Sequence, residues 1–118
     1  MTSVSERFLR YVQFHTTSDE SSETCPSTAN QKLLGAALVD EMKAMGIEDA
    51  YMDENGYVYG TVPGDPQLPT IGLIAHMDTA PDAPGNDIKT KILVKATTRS
   101  ILLALPIIAL FSKFYCTV

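Results

Sequence analysis

An α/β fold is predicted by three features of the sequence: two amphipathic helical segments, an Asn-Gly pair between strand-like runs, and a continuous apolar run of strand length, Ile71 to Ala75. Helices, a hairpin and one core strand are the opening elements of a layered domain, with too few strands to close its sheet.

The elements follow in chain order. Ser3 and Glu6 have capping-box spacing, and Val4, Phe8, Tyr11 and Val12 then recur on one face, which predicts a first helix over residues 4 to 15. From Thr16 to Pro26 the chain is rich in Ser, Thr, Asp and Glu, with little apolar area to offset the entropy of ordering, and reads as a surface loop. Ser27 or Thr28 can cap a second helix whose apolar positions Leu34, Leu38, Met42 and Met45 keep three-to-four spacing up to Gly46, a natural C′ residue. Strands are predicted at Ala50 to Met52 and Tyr57 to Val62, joined through Asn55-Gly56, a pair suited to the positive φ angles of a tight turn. Pro63, Gly64, Pro66 and Pro69 then break the pattern before Ile71-Gly72-Leu73-Ile74-Ala75, which reads as a strand buried on both faces.

Composition bounds the function. The 118 residues are long enough for one modest core, and the net charge of -5 hides an asymmetry. Residues 1 to 88 carry all 14 acidic residues against Arg7, Arg10, Lys32 and Lys43, whereas residues 89 to 118 carry five basic residues and no acid. An acidic body lacks the clustered basic face that nucleic acid requires. Cys25 and Cys116 form neither a CxxC pair nor a disulfide framework, and the first residues lack an apolar signal-peptide core, so a reducing cytoplasm is the expected compartment.

His76 comes directly off the predicted core strand, where ligands of α/β domains commonly sit. In extended chain His76 and Asp78 project to the same side, and a carboxylate there can accept a hydrogen bond from the imidazole nitrogen that does not bind metal. By itself this HxD pattern is also what a capped strand end or an ordinary ion pair gives. Asp53-Glu54 and Glu48-Asp49 read as solvated turn residues, His15 as a helix-end residue, and Met42 and Met45 as core filling. Tyr51, Tyr57 and Tyr59 read as hairpin packing.

The residues Arg7-Phe8-Leu9-Arg10-Tyr11-Val12, Pro26-Ser27-Thr28, Met45-Gly46-Ile47 and Ile71-Gly72-Leu73-Ile74-Ala75-His76-Met77-Asp78-Thr79-Ala80-Pro81-Asp82 occur in that order. In them the sequence resembles the peptidase T family, the tripeptide aminopeptidase branch of the cocatalytic dizinc peptidases, over about residues 4 to 88. The resemblance implies a zinc-dependent cytoplasmic hydrolase of short peptides, with His76 a ligand of one of two zinc ions and Asp78 the carboxylate that orients it. The family's bridging Asp, its Glu pair, a further acidic ligand and a distant His have no matching positions, so this chain is expected to be inactive as it stands.

The domain reading is therefore 1–88, the N-terminal part of such a catalytic domain, and 89–118, a divergent apolar tail. A frameshift near residues 88 to 95 accounts for the change of composition and the short length together. Two other readings stand beside it: a small non-enzymatic binding domain that buries the tail, or membrane association through Ile101 to Phe111 behind Lys89, Lys91, Lys95 and Arg99. A helix over that stretch would reach only about 16 Å of a roughly 30 Å hydrocarbon core, which argues against spanning. The family's second domain, which shapes the cleft and often the dimer contact, has no counterpart, so oligomeric state is left open.

Overall fold

The computed structural model describes residues 3–92. They form a mixed α/β arrangement of two helices and a two-stranded antiparallel sheet, in the order α1 (Val4–Tyr11), α2 (Gln31–Ala44), β1 (Tyr51–Met52) and β2 (Val58–Tyr59). The apolar tail segment Ile101 to Phe111 lies outside the described residues. Among the described residues no helix is long and apolar enough to cross a membrane.

Helix α1 begins on the expected capping box. The Glu6 amide donates to Ser3 Oγ at 3.2 Å and the Ser3 amide donates back to Glu6 Oε2 at 2.7 Å. Both are orphan donors of a helix start, satisfied reciprocally. The helix stops at Tyr11, four residues short of the expected end, and closes on turn hydrogen bonds from Gln13 to Arg10 and from Phe14 to Tyr11. None of its residues is buried, so no apolar face compels another turn.

Helix α2 starts later than the hydroxyls at 27 and 28 suggest. Its N-cap position is Asn30, which makes no side-chain cap. Ser27 and Thr28 spend their oxygens elsewhere: both accept from the Gln31 side chain, at 3.2 and 3.1 Å, and the Thr28 hydroxyl donates to the Thr17 carbonyl at 2.8 Å. The C-terminus matches expectation. Gly46 takes φ 93°, and the Ile47 amide donates to the Met42 carbonyl at 3.0 Å, the 6→1 bond of a Schellman motif.

The hairpin pairs Tyr51 with Tyr59 and Met52 with Val58, so both strands are shorter than the patterning indicates. Of the Asn-Gly pair only Gly56 adopts positive φ, at 86°. Asp53 organises the turn instead: its Oδ1 accepts from the amides of Asn55 at 3.0 Å and Tyr57 at 2.9 Å, while the Asp53 amide donates to the Tyr57 carbonyl. This is a longer loop with one αL glycine rather than a two-residue turn. Across the strands the Tyr51 and Tyr59 rings stack at 5.1 Å, in keeping with the hairpin packing expected of the tyrosines.

The core lies where α2 rests on the hairpin, with Leu34 and Ala50 buried. Gly35 admits this approach: a Cβ there would stand 2.5 Å from Met52 Sδ and 3.5 Å from Val58 Cγ2. Glu41 of α2 ties α1 to this unit. The Arg7 Nε lies 2.9 Å from Glu41 Oε1, in ion contact but off the hydrogen-bond axis, and Arg10 and Tyr11 both donate to Oε2.

The expected core strand does not form among the described residues. Ile71, Leu73 and Ile74 are 77%, 83% and 96% exposed, and the run from 71 to 75 joins no ladder. Its apolar pattern asks for cover on both faces and a paired neighbour on each edge, and the described elements are one short hairpin and two helices already engaged with each other.

Candidate functional site

His76 leaves the end of this exposed run, and the structure brings it to Asp78 as the alternation requires. The imidazole Nδ1 lies 3.0 Å from Asp78 Oδ1 and 2.8 Å from the Asp78 carbonyl oxygen. Both partners only accept, so Nδ1 carries a proton and donates it to Asp78. The two side chains are 67% and 41% exposed, which leaves the pair in water and weakens its mutual attraction.

The residue after the pair is itself held in place. Thr79 forms a parallel bridge with Thr17: the Thr79 amide donates to the Thr16 carbonyl at 3.0 Å, and the Ser18 amide donates to the Thr79 carbonyl at 2.9 Å. The Ser18 hydroxyl adds a second donor to that carbonyl at 3.1 Å. Thr16 is only 3% exposed, so the segment expected to be a surface loop begins as an interior strand-like support. Nothing in its composition marks this, because the partner is 62 residues away.

The other acids and the second histidine stand apart. Asp49 accepts from the Thr61 amide at 3.0 Å, which holds its carboxyl below the usual range, and Asp53 organises the hairpin loop. Both are turn residues, as their sequence context indicates. His15 is exposed in the segment after α1. Among the described residues no three of His, Cys, Asp and Glu gather as a metal site. Since a catalytic zinc takes three protein ligands and a structural one four, His76 with its oriented ring fits one coordination position and no more. The Glu41 cluster was not legible as a unit: Arg7 and Arg10 have the i, i+3 spacing of one helix face, but their common acceptor lies in another helix.

Comparison with known proteins gives no matching family model. Individual relatives do match. Peptidase T of Brevibacillus brevis is 47% identical over 104 residues, taking in 86% of this chain and 25% of the relative. Peptidase T of Bacillus subtilis is 48% identical over 100 residues, 83% of this chain and 24% of the relative. Peptidase T of Geobacillus thermodenitrificans is 50% identical over 90 residues, 75% of this chain and 22% of the relative. The chain thus spans about a quarter of the length of the curated relatives it matches. A match taking in 86% of 118 residues, about 101, runs past Ile88 wherever it begins.

Proposed function

We propose that this chain, a relative of peptidase T over most of its length, is the opening part of a cytoplasmic zinc-dependent aminopeptidase that releases N-terminal residues from tripeptides, and that these residues alone are not catalytic. The observation that carries the reading is identity near one half across more than four fifths of the chain. The His76–Asp78 contact supports it, because a carboxylate on one imidazole nitrogen is the arrangement that orients a histidine ligand. The donor set among the described residues supports the second half: one imidazole cannot hold and charge-balance two zinc ions.

The segment 89–118 belongs to this reading as a shifted frame. Composition turns basic after Ile88, so the junction is sought near residues 88 to 95, although the longer matches run past Ile88. Sequencing the coding DNA beyond the Asp87 codon decides it: one alternative frame is expected to encode a downstream acidic pair, and the idea fails if neither does. For activity, the purified chain with zinc is expected to leave a tripeptide uncleaved. Zinc-dependent cleavage that is lost in His76→Ala would overturn the inactivity.

A further inference from the structure

We propose that Thr17 and Gly85 are positioning residues for the His76–Asp78 pair: with Thr16 and Ser18 they clamp Thr79, and through its backbone they set the tautomer of the His76 ring. The proposal deepens the site reading above and rests on it for its chemical use.

Upstream, the run from 71 to 75 is in no ladder and its large side chains are exposed. Downstream, the residue bonded to Asp78 is held on both sides of its peptide, by the Thr16 carbonyl at 3.0 Å and by the amide and hydroxyl of Ser18 at 2.9 and 3.1 Å. The two contacts to His76 Nδ1 both come from Asp78, one through its carbonyl and one through its carboxylate. Their simultaneous geometry therefore depends on the backbone between 78 and 79.

The clamp is itself anchored. The Thr17 carbonyl accepts from the Thr28 hydroxyl at 2.8 Å, and Thr28 accepts from Gln31, a buried residue at the start of α2. A polar chain thus runs from the helix that carries the core, through Thr17, to the residue beside Asp78. Gly85 closes the clamp from the far side. A Cβ at this position would stand 2.0 Å from Thr17 Oγ1, 3.0 Å from Thr79 Oγ1 and 3.3 Å from Thr17 Cβ. No side chain fits between the two threonines without parting them, and their hydroxyls are 3.4 Å apart.

The test reads the ring, using the nitrogen-15-labelled full chain and long-range proton–nitrogen spectra, with every variant compared at one and the same alkaline pH. In the parent chain His76 is expected as the Nδ1–H form. In Gly85→Ala the ratio of Nδ1–H to Nε2–H should fall about tenfold as the hydrogen bond to the carboxylate is released. Adding Thr17→Ala removes the atom at 2.0 Å and leaves Thr79 Oγ1 at 3.0 Å, a hydroxyl that can rotate away, and Thr17 Cβ at 3.3 Å, so the double variant should recover most of the parent ratio. His15 serves as the unclamped control, and amide protection across α2 reports that the fold survives.

An unchanged His76 ratio in folded Gly85→Ala overturns the proposal, as does failure of Thr17→Ala to restore it. If Gly85→Ala loses α2 protection, Ser18→Pro, which deletes both donors to the Thr79 carbonyl, takes its place, with the same fall expected and the same null result fatal. A parent chain already in the Nε2–H form would instead refute the orienting role of Asp78. The parent spectrum thus judges the site reading, and the variant-to-parent ratio judges the clamp.

Discussion

Glu41→Gln should detach α1 from the rest of the chain without unfolding α2. Helix α1 buries none of its residues, so its docking leans on the three α1 groups gathered at the Glu41 carboxylate. Glu41 is 11% exposed and Arg7 28%, close enough to burial for their ion pair to exceed a typical surface pair. Counting about 1 kcal/mol for Arg7 and about 1 kcal/mol for the Tyr11 hydroxyl, and leaving out half-exposed Arg10, the substitution costs roughly 2 kcal/mol of docking. At about 1.4 kcal/mol per tenfold, local opening of α1 rises about thirtyfold. Amide hydrogen exchange measures this directly: protection at Phe8 to Val12 should fall by that order while protection in α2 holds. The same cluster gives a pH signature. The Tyr11 hydrogen bond, then Arg10 and Arg7, hold the Glu41 carboxyl below its ordinary value. Its stabilisation is therefore complete above the unfolded value of about 4.3 and is lost as pH falls through the lower folded one. Burial first, then the bond to Glu41, pushes the Tyr11 phenol up, so the docking also weakens at alkaline pH, as pH rises through that raised value. Protection in α1 that changes less than about threefold in Glu41→Gln, or that shows no acid loss in the parent, would rule out Glu41 as the anchor of α1.

Four further outcomes follow from the packing and the helix cap. Gly60→Ala should lower the urea midpoint, at a cost of about 1–3 kcal/mol, because its Cβ meets Met42 Cε at 2.4 Å and the stiff branched Ile47 at 2.8 Å. Gly35→Ala meets only the flexible Met52 sulfur at 2.5 Å and gains about 1 kcal/mol of helix propensity, so it should cost less than Gly60→Ala; the reverse order would contradict the packing. Ser3→Ala removes half of the capping box and should reduce far-UV helical signal by fraying α1, with α2 protection unaltered. Finally, Ile71, Leu73 and Ile74 form an exposed apolar stretch, so the chain should self-associate, and Ile74→Asp should raise the monomer fraction in sedimentation velocity. A parent chain that sediments as a monomer would sink that expectation.

The features legible in the sequence are those decided within four or five residues. The capping box of Ser3 and Glu6, the C′ glycine at 46, and a turn glycine at 56 each solve a local backbone problem, and each stands where its residue types indicate. The late start of α2 shows how that legibility fails: Thr28 has the right chemistry for a cap, yet its hydroxyl is taken by the Thr17 carbonyl, a competitor that local reading cannot see. The same holds for Thr16, read as loop from polar neighbours and buried by a partner 62 residues beyond Thr17. At the candidate site the alternation of an extended chain predicts the meeting of His76 with Asp78, and the structure has it at 3.0 Å. The clamp that holds them there depends on three separate segments, around residues 17, 79 and 85, and no short pattern announces it.

Energetics separates the two halves of the site. Burying one large aliphatic side chain is worth roughly 1.5–3 kcal/mol, so Ile71, Leu73 and Ile74 together leave about 5–9 kcal/mol unrealised among the described residues. That is of the order of a whole domain's net stability, about 5–15 kcal/mol. The strand leading to His76 is thus contingent on the neighbours that would cover it, whereas the clamp at Thr79 draws only on residues already in place. Ring orientation and strand placement are then separable properties: the chain can fix which nitrogen of His76 carries the proton before anything fixes where the histidine sits relative to further ligands. A complementary polypeptide that covers residues 71 to 75 should therefore raise their amide protection by orders of magnitude while leaving the His76 tautomer as it was. A tautomer that appears only on such pairing would show instead that the strand, and not Thr79, does the orienting.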